Sequence, residues 1–336
     1  MGYAILLCIS GIELPSGRAL RLQNSVLERN PLTLNQSESS DEGLPNATLF
    51  KMPRLPDGSF KEASRYLIGI QSDEDETMDT KFAKVIGELE IFPLRLMTEA
   101  SICVGLGKIS QTPLPELLRD GCQSVAPAMH PLHLTAHLDN KECELLEKNQ
   151  ALYTAPSDLE PAVVTFVSAC YESNAAKKGL GYLMSVETLV TPDFTGKRGR
   201  ASETARFAGM LAASNDEEEK LYRSIVECGY KHRNVFHHGE IDLKKRQAAE
   251  EWFNSNAEIL GTICRRVFQR VLCLRQSDMQ YSLEWFRQFL ASGKDSAKAQ
   301  ILRMPVFKFG RTSRLFFRDF THSQIRTSGS GSVEFI

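Results

Sequence analysis

The chain has 336 residues, of which 42% are hydrophobic and 24% charged, with 22 Gly, 14 Pro and a formal net charge of -2. That length exceeds a single ordinary core and points to about two domains, and the composition excludes wholesale disorder, collagen and coiled coil. The longest N-terminal apolar run, residues 3–9, falls far short of the roughly 18 residues that span a bilayer, and no basic residue precedes it as in a signal peptide, so a cytoplasmic protein with no membrane partner is expected.

Eight cysteines are scattered without a CxxC pair, which argues against a zinc ribbon and against a dense disulfide framework; Cys264 and Cys273 read as buried reduced thiols in a helix. The near-neutral charge hides an asymmetry. Residues 1–150 carry 14 basic against 21 acidic side chains, whereas residues 276–336 carry nine against five. An anionic partner would favour the C-terminal half.

Residues 1–138 form a β-leaning N-terminal domain to which no role is assigned. Short apolar stretches at 3–12, 18–22 and 66–70, bounded by Gly, Pro and Ser, predict strands, while residues 35–46 and the acidic run 72–79 predict loops. His130, His133 and His137 invite a metal site. Pro131 and the alternation of His133, Thr135 and His137 favour an extended strand, and no Cys or carboxylate stands at ligand spacing, so neither metal nor cofactor is expected. Asp139 and Glu142 then form a capping box that opens a helix.

From about residue 155 the period turns helical. Apolar residues at three-four spacing predict helices over 161–172, 180–190, 202–213, 215–238, 242–274 and 282–291, which read as an antiparallel bundle over residues 139–292. The fourth is expected to start with a Ser214/Glu217 capping box. In the fifth, an apolar stripe from Trp252 to Leu274 predicts that Lys244, Lys245, Arg246, Arg265, Arg266 and Arg270 lie mostly off the core. Residues 293–336 form a basic and aromatic extension with a Gly/Ser tail. Its segment 307–318 interleaves basic and aromatic residues, as either a single-strand RNA platform or an amphipathic strand pair packed on the bundle would.

The densest chemistry lies at Tyr230-Lys231-His232-Arg233-Asn234-Val235-Phe236-His237-His238-Gly239. Helical spacing pairs Arg233 with His237 and Asn234 with His238, and Gly239 is the expected helix stop. Two readings compete. A guanidinium beside an imidazole suits phosphodiester cleavage, with His moving a proton of the 2′-hydroxyl or of the leaving oxygen and Arg holding the phosphate. Basic side chains at a helix C-terminus also satisfy orphan carbonyls and the helix dipole.

The segment from Leu221-Tyr222 through Arg233-Asn234-x3-His238-Gly239 resembles the signature of HEPN domains, in particular the Apea-like branch. Upstream, residues 183–189 with Glu187 resemble the family's first long helix, and residues 202–208 resemble the next one; the likeness covers roughly residues 140–275. It implies an α+β protein whose C-terminal all-α, HEPN-like antiparallel bundle follows a smaller β-rich N-terminal region. It further implies a homodimer through the motif-bearing helices and a metal-independent endoribonuclease of the toxin or antiviral-defence type, attacking through the RNA's own 2′-hydroxyl. Arg233 would hold the scissile phosphate, His238 would transfer protons with His237 beside it, and Asn234 would orient either. Lys231 and His232 would bind RNA. An inhibitory antitoxin or a sensor would be a further partner, and a non-catalytic HEPN module for nucleotide or RNA binding or for dimerisation is the alternative.

Overall fold

The computed structural model describes residues 3–22, 25–29, 66–72, 87–98, 102–110, 134–153, 157–172, 174–190, 199–237, 242–277, 288–289 and 295–314. The predicted loop at 35–46, the acidic run beyond Ser72, His130, His133, His238, Gly239, most of the predicted helix 282–291 and the segment 315–336 lie outside them.

The N-terminal region builds strands where apolar runs are punctuated by turn residues. Strand β1 is Tyr3–Ser10, followed by β2 (Ile12–Glu13), β3 (Leu20–Arg21), β4 (Ser25–Arg29) and β5 (Tyr66–Ser72). Helix α1 (Phe92–Met97) and strand β6 (Cys103–Ser110) follow, neither of which the sequence periodicity marks. These strands, apart from β2, form an antiparallel sheet of order β3-β4-β5-β1-β6, with a bulge in β6 at Gly107, opposite the step from Leu6 to Leu7 of β1. Strand β7 (Leu134–His137) confirms the extended reading of that segment. It pairs in parallel with β2 and antiparallel with β8 (Arg311–Arg314), so a second sheet ties the start of the chain to its C-terminal extension.

The bundle consists of α2 (Asn140–Asn149), α3 (Glu160–Tyr171), α4 (Ala175–Val190), α5 (Arg200–Ala212), α6 (Asp216–His237) and α7 (Leu243–Ser277). A short helix α8 (Asp295–Arg303), not anticipated from sequence, lies beyond it. The Asp139/Glu142 capping box is present in full. The cap of α6 sits one residue later than expected: Asn215, not Ser214, accepts from Glu218 N–H at 2.8 Å, and Glu218 in turn accepts from Ser214 N–H at 2.7 Å. Asn has the same short polar reach as Ser, so the spacing was right and the register was off by one.

Helix α7, about 52 Å long at 1.5 Å per residue, is the spine of the bundle. Phe253, Leu260, Ile263, Val267, Phe268 and Val271 are buried along it. Phe268 meets Phe92 of α1 and Phe166 of α3 edge-on or tilted at 5.4–5.5 Å, so one continuous core links the N-terminal region to the helices.

The expectation that the basic side chains of α7 lie off the core needs correction. Lys244, Lys245 and Arg246 are exposed, but Arg265 and Arg270 are buried at 8% and 2% and Arg266 is half-buried. They are inside because they satisfy backbone carbonyls that would otherwise be orphaned at element ends. Arg270 donates to the carbonyls of Leu211 and Ala213 at the end of α5 at 2.8 and 2.5 Å, Arg266 donates to Ala212, Glu218 and Tyr222, and Arg265 donates to the carbonyl of Arg95. Burial lowers the Arg270 pKa to about 10, and the charge of Arg266 adds to that fall. Arg95 itself is wholly buried, paired with Glu88 and donating to Ile102 carbonyl and Tyr171 hydroxyl.

Of the two thiols singled out in α7, Cys264 is buried and its pKa is pushed up to about 12, chiefly by burial; Cys273 is half-buried and raised for the same reason. Both therefore stay protonated at neutral pH. Among the described residues no helix is long and apolar enough to cross a membrane.

Candidate active site at the end of helix α6

Helix α6 begins with four acidic residues, Asp216 to Glu219, and ends in the basic motif, so its side-chain charges complement the helix dipole at both ends. It stays α-helical through His237, which puts Arg233 and His237 on one face, one turn apart. The side chains preceding the motif anchor it. Gly229 lets α6 approach α4 and α7 closely: a Cβ there would stand 3.1 Å from Leu183 Cδ2 and 3.3 Å from Trp252 Cη2. Tyr230 is buried, and Phe236 packs on Phe253 with centroids 5.9 Å apart.

Arg233 does not reach back to the orphan carbonyls of its own helix. Its Nη1 pairs with Glu187 Oε2 of α4 at 2.6 Å, and its guanidinium lies over the Tyr230 ring at 5.4 Å. The other oxygen of the same carboxylate, Glu187 Oε1, pairs with Arg200 Nε at 2.5 Å. Arg200 is the first residue of α5, entered from Gly199 at φ +92°, a conformation that favours glycine. Three helices thus converge on one carboxylate. Glu187 is only 5% exposed, whereas Arg233 and Arg200 are 20% and 36% exposed, so the anion is the most deeply buried of the three. Burial raises the Tyr230 hydroxyl well above the ordinary phenol range, and the Glu187 charge adds to the rise.

The predicted residues are not all brought together. Lys231 and Asn234 are exposed beside Arg233, and the backbone places His237 at the last turn. His232 points elsewhere: its ring stacks on Trp252 of α7 at 5.1 Å and 20°, and it is half-buried. Burial first, and Lys231 second, lower its pKa. His232 is thus held as a packing group, a role that its place in a basic run hides. His238 falls outside the described residues.

Arg200 is the group that sequence reading missed. Its signal was the Lys197-Arg198-Gly199-Arg200 run just ahead of the predicted helix 202–213, but nothing local says that the run meets α6. Elsewhere, His137 pairs with Glu13 at 2.9 Å, and among the described residues no group of three or more His, Cys, Asp or Glu could hold a metal ion. The RNA-platform reading of 307–318 does not suit its first part. Phe309 is buried, Phe307 exchanges two backbone hydrogen bonds with the Gln269 side chain, and β8 pairs with β7, which leaves the strand-packing reading for those residues.

No family model matches the chain, and no curated protein or solved structure does either.

Proposed function

We propose that the protein is an RNA-cleaving enzyme that needs no metal, and more particularly an endoribonuclease of the HEPN type in the Apea-like branch, acting as a toxin or antiviral effector. The observation that carries this reading is Arg233, partly exposed one turn before the end of α6 and held by a buried carboxylate. A guanidinium so held is preorganised for a phosphate, since its orientation is set before substrate arrives.

The chemistry follows from residue types. The attacking group is the 2′-hydroxyl of the RNA, which loses its proton to a histidine as it bonds to phosphorus; the 5′-oxygen leaves and takes a proton from a second imidazole. Arg233 stabilises the charge that develops on the phosphorane oxygens. His238, from the register of Arg-x4-His-Gly, is the principal proton carrier, with His237 adjacent and Asn234 orienting. Lys231 adds a backbone contact. DNA lacks the nucleophile and is not cut.

One observation favours the alternative, a non-catalytic RNA-binding or dimerisation module: Arg233 spends a donor holding α4 to α6. Cleavage decides between them. His238→Ala should lower cleavage by at least about 100-fold at an unchanged melting temperature, with His237→Ala losing less. Cleavage unaffected by either substitution would overturn the histidine assignment, and a wild-type protein that dimerises or binds RNA without cutting it would leave only the module.

A further inference from the structure

Glu187 is shared. A carboxylate can take one guanidinium with both oxygens, the strongest geometry for such a pair. Here each oxygen serves a different arginine, so that one carboxylate holds two guanidiniums side by side. The carboxylate is 5% exposed, while Arg233 is 20% and Arg200 36% exposed, with Arg200 the more open of the two. Two partly exposed arginines held on one carboxylate suit a ligand with more than one negative charge in sequence, and a single-stranded RNA backbone has that form.

We infer that Arg200 is a second phosphate-binding residue of the motif: it takes the RNA backbone next to the phosphate held by Arg233, and Glu187 positions both guanidiniums. This rests on the ribonuclease reading and extends the site from one helix end to the junction of α4, α5 and α6. Arg200 does not contact the scissile phosphate, so its contribution is present alike in bound substrate and in the transition state. It therefore tightens binding without accelerating the bond-making step.

The test uses the full chain and a single-stranded RNA carrying 2′-O-methyl groups throughout, which cannot be cut. Binding is measured by fluorescence anisotropy between 50 and 200 mM salt. Losing one phosphate contact should lower the slope of log affinity against log salt by about 0.7 in Arg200→Gln. Arg200→Lys, which keeps the charge, should restore the slope. On cleavable RNA, Arg200→Gln should raise KM several-fold with little change in kcat. Should Arg200→Gln melt early, the wild-type protein supplies the readout: phenylglyoxal should modify Arg200, and saturating uncleavable RNA should protect it. An unchanged slope and KM in a folded Arg200→Gln protein, or equal labelling with and without RNA, would reduce Arg200 to a brace between helices. Wild-type protein that neither binds nor cuts RNA would sink the ribonuclease reading itself, and this inference with it.

Discussion

His232 shows how one residue's surroundings decide its role. Stacked on Trp252 and half-buried, it has a pKa below the ordinary value of about 6.5, because burial penalises the imidazolium and Lys231 repels it. With the folded value depressed, the unfolded chain binds the proton more readily, so stability rises with pH in the interval between the two. The contribution of His232 is fully present above about pH 6.5 and is lost as pH falls through the lower folded value. His232→Phe keeps a ring on Trp252 and removes the proton. Melting curves from pH 5 to 7.5 should therefore flatten in that variant relative to wild type, and an identical pH dependence in the two proteins would show that the stack does not sense pH. An imidazole stacked on a packed indole is poorly placed to move protons for a substrate, which agrees with the proposal's choice of His238 and His237 from the register of the motif.

Helices α5 and α6 set the distance between Arg200 and Arg233, and that distance depends on their close contact at Gly209. A Cβ there would lie 2.9 Å from the Glu219 carbonyl oxygen and 3.2 Å from Arg223 Cβ. Alanine would gain about 1 kcal/mol of helix propensity. Pushing apart a backbone contact costs about 1–3 kcal/mol, which outweighs it. Gly209→Ala should lower the melting temperature by a few degrees and weaken cleavage by moving the two arginines apart, and a variant more stable than wild type would show that the helices can yield there. The sequence announced α3 to α7 because each carries a 3.6-residue apolar stripe, and it announced the Asp139 cap because that signal is local. It did not announce α1, which is only six residues long and buried all round, so it has no stripe to display. Nor could it reveal that Arg265, Arg266 and Arg270 turn inward, since their partners, the terminal carbonyls of other elements, carry no sequence mark. Arg233 and Asn234 were legible as a pattern. The sharing of Glu187 with Arg200 was not, because it joins positions that only the tertiary fold brings together.

At the scale of the whole molecule, one helix end supplies too few groups to bind RNA, transfer protons at two oxygens and stabilise a phosphorane, whereas a symmetric pair supplies two of each. On the ribonuclease proposal α6 and its partner's equivalent would share one groove, and sedimentation should then give twice 37.6 kDa. Mixing separately inactive Arg233→Ala and His238→Ala proteins should restore part of the activity through subunit exchange, while a monomer that cleaves RNA would contradict the shared groove. The central claim is that this motif cuts RNA with the substrate's own hydroxyl as nucleophile. Its most direct test is to incubate the purified protein with mixed single-stranded RNA in excess EDTA and determine the product ends by mass spectrometry. The account predicts cleavage that persists in EDTA and leaves 2′,3′-cyclic phosphates opposite 5′-hydroxyls; cleavage that EDTA abolishes and magnesium restores, or products with 5′-phosphates, would contradict it.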